Sequence, residues 1–365
     1  MTDWVLHVDL DQFIAAVEVL RHPELAGRPV IVGGRGDPTE RGVVATASYE
    51  ARAHGVHSAM PLRTAAKRCP DAVFLPVDAP AYEEASAVVM ETLRASAPVV
   101  EVLGWDEAFL AVATGPDEAP EEVAARVQRA VLEATGLHCS VGIGDNKLRA
   151  KVATEFGKPQ GTFRLTEQNW FAVMGERPTD ALWGIGRKTA RRLAALGIDT
   201  VADLAATPAQ ELADRLGPTL GPWYRRLGRG ADTSPVQGEP YVNRSRGRET
   251  TFQQDLTDPW RIEREVRRLA AQVGQDVAAE GRPALRVGLK IRFAPFETRT
   301  RSLTLPAPTA DPNELGAAAV RLLERFALAE RGRPVRLLGV RAEMAAPDPG
   351  ERPGAGDRPQ PGAGS

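Results

Sequence analysis

The sequence predicts an α+β protein with three parts that differ in their secondary-structure patterns. Over roughly the first 165 residues, the order strand–helix–strand–strand–helix–strand fits a ferredoxin-like antiparallel sheet. Residues 180–230 are predicted to be entirely helical, and residues 243–344 carry the strands and two helices of a second small α+β unit. At 365 residues the chain is long enough for two or more domains.

The composition indicates a globular cytoplasmic protein rather than a secreted or membrane protein. Hydrophobic residues make up 43% and charged residues 26% of the chain, and no apolar run is long enough to span a bilayer. The first dozen residues include acids and lack a basic leader, so a signal peptide is not expected. Cys69 and Cys139 are far apart in apolar surroundings, which favours buried thiols over a disulfide or a zinc site.

Charge is distributed unevenly along the chain, although the net charge is only −2. Residues 1–179 contain 17 Lys and Arg against 25 Asp and Glu, whereas residues 180–344 contain 27 against 20. This asymmetry suggests a metal-binding catalytic part joined to a part that binds a polyanion. The alternative is a chance difference between solvated surfaces.

The ferredoxin-like part begins with a strand that ends in acids. Residues 4–13 (WVLHVDLDQF) form an apolar strand ending in Asp9 and Asp11, and a helix begins at residues 15–20. The elements that follow are bounded by Gly and Pro. They are strands at 29–34 and 42–49, helices at 61–70 and 80–97, strands on either side of the Asp106–Glu107 pair, a helix at 118–135 and a strand at 139–144.

Four acids at strand ends form the first candidate site. In a ferredoxin-like sheet, Asp9 and Asp11 on one central strand can meet Asp106 and Glu107 on its neighbour. Magnesium prefers oxygen ligands, and two ions about 4 Å apart stabilise both the attacking and the leaving oxygens of a phosphoryl displacement. The alternative is a set of ordinary surface acids, which are common at strand ends.

Two further segments carry groups that suit a triphosphate. Thr46, Tyr49 and Arg52 supply hydroxyls and a guanidinium, and helical spacing points Tyr49 and Arg52 in one direction. Lys158 precedes Pro159 and is therefore expected at a helix end, where its ammonium can reach a phosphate. A surface salt bridge for Arg52 and an ordinary solvated lysine are the alternatives.

The helical part contains a segment, LWGIGRKTARRLAALGI, that resembles a helix-hairpin-helix DNA-binding motif. Gly184 and Gly186 would let the amides of the turn approach a phosphate, and Arg187 and Lys188 add positive charge. Such contacts do not depend on base sequence. The core of the hairpin is predicted to be Leu182, Ile185, Leu193 and Leu196. The alternative is a plain helical hairpin capped by glycine.

Arginines alternate along two strands of the second α+β unit. Arg244, Arg246 and Arg248 are two residues apart, so all three would face one side of a strand. Arg299 and Arg301 repeat this spacing. The pattern suits contacts to nucleic-acid phosphates, with a solvated sheet face as the alternative.

Two segments are predicted to lack regular structure. Residues 232–242 contain Thr, Ser, Pro and Gly and are typical of a linker. Residues 345–365 are rich in Pro and Gly and too poor in apolar residues to fold alone, so a disordered tail is expected.

Six motifs occur in an order and spacing that resemble one enzyme family. They are HVDLDQF, VATASYEAR, GVHSAMP, WDEAFL, SVGIGDNKLRAKVA and GKPQG. The combination is similar to the Y-family translesion DNA polymerases, most closely the DNA polymerase IV (DinB) branch. The resemblance extends from residue 4 to about residue 344.

The resemblance implies a right-hand polymerase with a ferredoxin-like palm, small fingers, a helical thumb that contains the helix-hairpin-helix, and a separate α+β little finger. The implied domains are the palm at 1–10 and 76–168, the fingers at 11–75, the thumb at 169–231, the linker at 232–242 and the little finger at 243–344.

The resemblance also assigns the acids and the triphosphate ligands. Asp9, Asp106 and Glu107 would be the metal carboxylates, with the Leu10 carbonyl as a further ligand of two magnesium ions, for which manganese is an alternative. Asp11 would be supporting or structural. The implied triphosphate ligands are the side chains of Thr46, Tyr49, Arg52 and Lys158 and backbone amides near Gln12 and Phe13.

The implied reaction is DNA-directed DNA synthesis. The primer 3′-hydroxyl would attack the α-phosphorus of a dNTP and release pyrophosphate, which requires no nucleophilic side chain. The implied enzyme is a low-fidelity monomer that acts on primer-template DNA in repair and damage tolerance. His7, on the first strand, is predicted to be packed rather than catalytic.

Ile14 departs from the family pattern in a way that bears on the substrate. The family normally has Phe or Tyr here, beneath the incoming sugar, where the ring excludes a 2′-hydroxyl. Isoleucine is shorter, so the exclusion of ribonucleotides is expected to be weaker. The alternative is that Phe13 or the backbone forms an adequate barrier.

Two other departures concern Trp105 and the chain end. Trp105 stands where relatives usually have an aliphatic residue, and its role is open. The ending PQPGAGS lacks the short hydrophobic peptide by which related polymerases bind the sliding clamp, so recruitment by the clamp is uncertain.

Two other functions fit the sequence less well. A catalytically silent DNA-binding accessory protein would have no need of Asp9, Asp106, Glu107, Arg52 and Lys158 together. A nucleotidyl cyclase with a similar acidic sheet would not explain the hairpin motif or the basic second half of the chain.

Overall fold

The structure is a computed structural model that describes residues 2–330 and 332–347. The chain divides into two compact units, one made of Met1–Glu24 and Asp78–Pro240 and the other of Leu25–Val77 and Tyr241–Ser365. The predicted tail lies outside the described residues from residue 348 onward. No helix among the described residues combines the length and the apolar character needed to cross a bilayer.

Strands and helices are numbered here in chain order. The strands are β1 (Thr2–Leu10), β2 (Val30–Val32), β3 (Thr46–Ala47), β4 (Val73–Leu75), β5 (Val99–Val102), β6 (Glu107–Thr114), β7 (Cys139–Gly144), β8 (Thr162–Leu165), β9 (Ser245–Leu256), β10 (Ala284–Phe293), β11 (Glu297–Thr309) and β12 (Val335–Met344). The helices are α1 (Phe13–Arg21), α2 (Tyr49–Ala53), α3 (Leu62–Arg68), α4 (Ala79–Ser96), α5 (Pro120–Thr135), α6 (Lys147–Gly157), α7 (Trp170–Met174), α8 (Arg187–Ala194), α9 (Val201–Ala206), α10 (Ala209–Leu216), α11 (Leu220–Gly228), α12 (Pro259–Ala279) and α13 (Pro312–Glu330), and the 3-10 turns are Pro23–Leu25 and Thr179–Ala181.

The first unit is built on a five-stranded sheet in the order β5-β6-β1-β7-β8. The pairs β5–β6, β6–β1 and β1–β7 are antiparallel, which confirms the ferredoxin-like prediction. Strand β8, parallel to β7, was not predicted because its sequence TFRL is short and mixed in character. Leu6 and Val8 of the central strand are fully buried, so the sheet is anchored at its middle.

Two glycines of β7 let helix α6 lie directly against the sheet. A Cβ atom on Gly142 would lie 2.0 Å from the Ala150 carbonyl oxygen, and one on Gly144 would lie 2.4 Å from the Ala150 nitrogen. Any larger side chain would push the helix away. This close approach brings Lys151 and Thr154 of α6 next to β1.

The remainder of the first unit is helical, as predicted. Helices α7 to α11 share a core with α6, and its largest member, Trp170, is 1% exposed and donates from its indole nitrogen to the Gly228 carbonyl at 2.8 Å. The hairpin residues Leu182, Ile185 and Leu193 are buried in this core, which confirms their predicted packing. The first arm of the hairpin is a single 3-10 turn rather than a helix.

The second unit contains two sheets. Residues 25–77 form a small sheet in the order β3-β2-β4. The strand predicted at 42–49 is wrong in extent, because Val44 exchanges backbone hydrogen bonds with Ala59 and Met60 instead of continuing β3. Strand β4 was not predicted.

Residues 245–344 form a four-stranded antiparallel sheet in the order β11-β10-β12-β9, with α12 and α13 packed on it. Both helices and the strands around them confirm the predicted second α+β unit. The helix-facing side chains alternate along the central strands, as Val287, Leu289 and Ile291 show on β10.

Candidate active site

The structure brings the predicted acids of β1 and β6 together. Asp9 is directly opposite Glu107 in the antiparallel register of the two strands. The Leu10 amide donates to the Asp106 carbonyl oxygen at 2.8 Å, which fixes the end of β1 against the start of β6. Because opposed residues on antiparallel strands have side chains about 5 Å apart, the sheet itself gathers the carboxylates.

The carboxylates perturb one another because they are close and shielded from water. Burial, followed by the charges of Asp9 and Glu107, raises the pKa of Asp106 to about 6. Burial also raises the pKa of Asp9, against the opposing charge of Lys158. Such crowding of negative charge in a low-dielectric site favours a bound cation.

Glu107 differs from its neighbours because one of its oxygens is anchored. Burial disfavours its charged form, but the hydrogen bond from His7 and the charge of Lys151 outweigh burial and hold the pKa of Glu107 at about 2. The Lys151 ammonium forms a short ion pair with Glu107 Oε2, and His7 Nε2 lies 3.2 Å from the same oxygen. On the other side of the ring, His7 Nδ1 lies 2.8 Å from the Thr154 hydroxyl.

His7, Asp9 and Glu107 are the group, within the described part of the chain, whose ligand atoms all lie within 4.8 Å of one another. Two of the three are carboxylates, which suits a hard divalent cation such as magnesium. Burial lowers the pKa of His7, which favours the neutral ring. Both ring nitrogens of His7 already have partners in the chain. His7 is therefore better suited to orienting Glu107 than to binding a metal ion directly.

Lys158 lies beside the acids, at the end of α6. Its ammonium is 2.9 Å from Asp9 Oδ1 and 2.8 Å from Glu155 Oε1. Burial opposes its charge, but the two carboxylates outweigh burial and raise the pKa of Lys158.

Asp11 has a structural role, one of the two possibilities raised from the sequence. It is 3% exposed, and its oxygens accept hydrogen bonds from the Ser140 hydroxyl at 2.9 Å and the Gln160 amide at 2.8 Å. Asp11 therefore fastens the segment that follows Lys158 to the start of β7.

Helix α1 begins immediately after these acids. Gln12 caps it in a left-handed conformation with φ of 46°, and Phe13 is buried while Ile14 is partly exposed. The amides at this helix end have no partner one turn earlier within the helix, which suits an anion.

Trp105 packs its ring at a tilt against buried Tyr82, with 6.4 Å between ring centroids. The Tyr82 hydroxyl donates to buried Glu18 at 2.6 Å.

The other predicted triphosphate residues form a group of their own in the second unit. The Arg52 guanidinium lies 5.1 Å from the centre of the Tyr49 ring, and its Nε donates to the Ala47 carbonyl at 2.9 Å. Thr46 is on the adjoining strand β3. Tyr49 and Arg52 are thus side by side, as their spacing predicted.

The two glycines of the hairpin turn differ in whether their backbone conformation requires glycine. Gly184 has φ of 94°, and a Cβ there would lie 3.0 Å from the Trp223 ring. Gly186 has an ordinary backbone conformation, and a Cβ there would meet nothing within 4 Å. Arg187 and Lys188 begin α8 directly after it.

The arginines of the second unit are paired within their own sheet domain. Arg246 forms a short ion pair with Glu280, and Arg248 donates two hydrogen bonds to Asp276 at 2.6 and 2.7 Å. Arg244 precedes β9 rather than lying within it, so the prediction that all three share one strand is wrong for this residue. On β11, Arg299 pairs with Glu297 at 2.7 Å, and the Arg301 guanidinium lies 4.9 Å from the Phe326 ring centre.

A cavity of about 520 Å³ opens beside the acids, entirely within the first unit. Its wall joins the sheet, helix α6 and the hairpin. The lining residues include His7, Asp9, Lys151, Phe156, Met174 and Trp183.

His7, Lys151 and Thr154 were not predicted as parts of the site. Two patterns in the sequence indicate His7 and Lys151. His7 and Asp9 are two apart on one strand and so share a face, and Lys147, Lys151 and Glu155 are four apart on one helix. Lys147 turns out to serve elsewhere, since its ammonium binds Glu101 at 2.7 Å.

Comparison with known proteins identifies the family. The chain matches the impB/mucB/samB family over residues 8–155 and the C-terminal domain of that family over residues 243–352. DNA polymerase IV 2 of Mycobacterium tuberculosis (strain ATCC 25618 / H37Rv) is 52% identical over 343 residues, covering 94% of this chain and 98% of the relative. DNA polymerase IV of Methanoculleus marisnigri is 43% identical over 344 residues, covering 93% and 94%.

Solved structures agree with the sequence relatives. A Y-family DNA polymerase chimera of Dbh and Dpo4 has a TM-score of 0.84 at 28% identity, covering 93% of this chain and 98% of its own. An insertion ternary complex of Dbh DNA polymerase has a TM-score of 0.64 at 28% identity, with the same coverage. The chain belongs to the impB/mucB/samB family, in the DNA polymerase IV branch of the Y-family, and is a DNA-directed DNA polymerase.

Proposed function

We propose that this polymerase extends a primer by two-metal phosphoryl transfer at Asp9, Asp106 and Glu107. The observation that carries the proposal is the meeting of these carboxylates at the ends of β1 and β6, with the pKa of Asp106 raised to about 6. Two magnesium ions held there, with the Leu10 carbonyl as a further ligand, would activate the primer 3′-hydroxyl and neutralise the leaving pyrophosphate. Manganese is an alternative ion.

The residues around the acids would orient the incoming dNTP. Lys158, fixed through the segment that Asp11 fastens, supplies a positive charge at the site. The amides of Gln12 and Phe13 at the start of α1 would receive phosphate oxygens. Thr46, Tyr49 and Arg52, which lie in the second unit, are proposed as triphosphate ligands on the family resemblance.

Primer-template DNA would be held mainly through its phosphates. The hairpin amides at Gly184 and Gly186, with Arg187 and Lys188, form the thumb contact, since a helix start preceded by glycine accepts anions. The arginines of the little finger would add to it, which for Arg246 and Arg248 requires release from Glu280 and Asp276. The proposed set is Arg244, Arg246, Arg248, Arg299 and Arg301.

The proposed domain assignment follows the resemblance. The palm is 1–10 and 76–168, the fingers 11–75, the thumb 169–231, the linker 232–242 and the little finger 243–344. The enzyme would act as a monomer, at low fidelity, in repair and damage tolerance. Recruitment by the sliding clamp through residues near the chain end concerns positions outside the described residues.

Primer extension with matched variants tests the metal proposal. Asp106→Ala should abolish primer extension, because a proposed metal ligand is lost. The affinity of the variant for primer-template DNA should stay within twofold of the wild-type affinity. Fluorescence anisotropy on the same preparations measures that affinity. Extension by Asp106→Ala at wild-type rate would refute the metal assignment, and a wild type that binds DNA but never extends a primer would favour the accessory-protein alternative.

We further propose that Ile14 weakens the exclusion of ribonucleotides. Ile14 is partly exposed beside the acids, and it is smaller than an aromatic ring at the same place. Ile14→Phe should lower the ratio of rNTP to dNTP incorporation by at least about tenfold, the effect of roughly 1.4 kcal/mol of steric conflict. Equal ratios for wild type and Ile14→Phe, measured at equal nucleotide concentration, would contradict this.

A further inference from the structure

We propose that Trp183 of the thumb hairpin is a positioning residue that acts through Lys151 on the metal carboxylate Glu107. The inference rests on the proposed metal role of Glu107. Trp183 is exposed and lies immediately before the hairpin turn, and Lys151 lies on α6. Together they would link the hairpin proposed to bind DNA to the reacting centre.

Lys151 contacts Glu107, His7 and Trp183 at the same time. Its ammonium forms a short ion pair with Glu107 Oε2, lies 3.1 Å from His7 Nε2, and lies 5.6 Å from the centre of the Trp183 ring. A cation within about 6 Å of an indole centre is attracted to the ring face. Because the lysine side chain is only 15% exposed, these partners replace most of its water.

Anchoring one carboxylate oxygen orients the other. Lys151 and His7 both contact Oε2 of Glu107. A carboxylate held in this way loses the rotation that would otherwise average its direction, so its remaining oxygen is set for an ion. His7 is in turn fixed by the Thr154 hydroxyl, which makes the palm side of this support rigid.

Trp183 is held firmly although half of its surface is exposed. It is 49% exposed, but its neighbours Leu182 and Ile185 are buried at 2% and 3%. Gly184, with φ of 94°, turns the chain immediately after it. The indole therefore belongs to the same rigid turn whose amides are proposed to bind DNA phosphates, and it forms part of the cavity wall beside the acids.

The central experiment is a double-mutant cycle, because Trp183→Ala leaves every charge at the site unchanged. Trp183→Ala should reduce the single-turnover rate at saturating dNTP and magnesium by about fivefold, as expected for loss of one partly desolvated cation–π contact. Trp183→Phe should retain at least half of the rate. Lys151→Met should lose about 30-fold, within the range for supporting groups of metal ligands.

The cycle separates action through Lys151 from a direct effect on DNA. In the Lys151→Met background, Trp183→Ala should have no further effect, because the link is already broken. Full additivity of the two changes would overturn the proposal. Lys151→Arg keeps the charge and the ring contact, so it should recover to within about threefold of wild type, whereas a loss equal to that of Lys151→Met would also overturn it.

Metal binding gives a readout that needs no turnover. Manganese is titrated by electron paramagnetic resonance into the full chain bound to primer-template DNA with a dideoxy terminus and the matching dNTP. Trp183→Ala should weaken manganese binding by about threefold, and unchanged affinity would refute the positioning role. Phe171, an equally exposed aromatic of the thumb at 50%, offers the matched control Phe171→Ala, which should behave as wild type.

The same titration distinguishes failure of this inference from failure of the proposed function. Equal manganese binding by wild type and Asp106→Ala would show that the acids are not the metal site, whatever the behaviour of Trp183. Weaker binding by Asp106→Ala together with wild-type binding by Trp183→Ala would leave the metal site intact and reject the positioning role alone.

Discussion

The acidic site of the first unit and the arginine-bearing edge strands of the second unit both concentrate charge, but they hold it differently. Asp106 and Glu107 are largely shielded from water, and the pKa of each is displaced, to about 6 and about 2. Arg248 and Arg299 are 54% and 44% exposed, and each is paired with an acid of its own sheet domain. The same kind of ion pair is therefore strong in one region and weak in the other, because solvent screens the second.

The comparison teaches that single substitutions should matter very unequally in the two regions. Groups in the acidic site share partners, so removing one disturbs the rest. Groups on the edge strands have separate partners, so each would contribute at most one replaceable contact to a bound polyanion.

The largest effect is expected from two aspartates that are two residues apart. Asp9→Asn should lower the single-turnover rate by on the order of 10³-fold, because a proposed metal ligand loses its charge, while stability changes little. Asp11→Asn should instead lower the free energy of unfolding by about 2 kcal/mol, since a buried acceptor of two hydrogen bonds loses its charge. Urea unfolding and single-turnover extension, measured on both variants, separate the roles. Equal rate losses without loss of stability would contradict the structural role of Asp11.

Acidification should weaken metal binding through Asp106. Because the pKa of Asp106 is about 6, a metal ion must displace a proton below that pH. The apparent affinity for manganese should therefore fall by about tenfold for each pH unit below 6. A raised folded-state pKa has the opposite effect on the metal-free chain, since the contribution of this group to stability is present at low pH and is lost as pH rises through 6. Metal affinity that is constant between pH 5 and pH 7 would contradict the raised pKa.

Gly186→Ala should reduce DNA affinity without disturbing the fold. The backbone there is ordinary and the space around it is open, so alanine fits the hairpin itself. A methyl group facing a phosphate should cost about one hydrogen bond, roughly fivefold in affinity. Gly184→Ala is the contrasting variant, because its positive φ and the Trp223 ring predict a loss of stability as well. Anisotropy and thermal unfolding give both quantities, and unchanged DNA affinity of Gly186→Ala would argue against a phosphate at this turn.

The smallest effect is expected from Arg248→Ala. This guanidinium already donates twice to Asp276, so binding a phosphate exchanges one partner for another and gains little. DNA affinity should fall by no more than about twofold at physiological salt. A larger loss would show that Arg248 binds a phosphate independently of Asp276, provided that the slope of log affinity against log salt concentration also falls by about one.

The sequence predicted the parts of this molecule that depend on local pattern. The strand that ends in Asp9 and the strand junction at Asp106 predicted the sheet and the acid cluster. The Gly-rich turn at Gly184 predicted the hairpin. Short elements were missed, such as β4 and β8, because three or four residues carry too little periodicity. The support of Glu107 was also missed, since Lys151 reaches it only after α6 folds back on the sheet. The pairing of Arg248 with Asp276 could not be predicted either, because nothing in a strand pattern identifies which helix residue will face it.

The close approach of α6 to β7 at Gly142 and Gly144 has a consequence for the time at which the enzyme becomes competent during synthesis. The contacts that define the site join positions far apart in the chain, as in the hydrogen bond between His7 and Thr154, 147 residues apart. Contacts of such long sequence separation form late in folding. A nascent chain that has not yet released α6 from the ribosome lacks strand β8 and has neither Lys151 nor Thr154 to support Glu107. The first unit should therefore complete its acidic site only after α6 has emerged, later than the inserted residues 25–77.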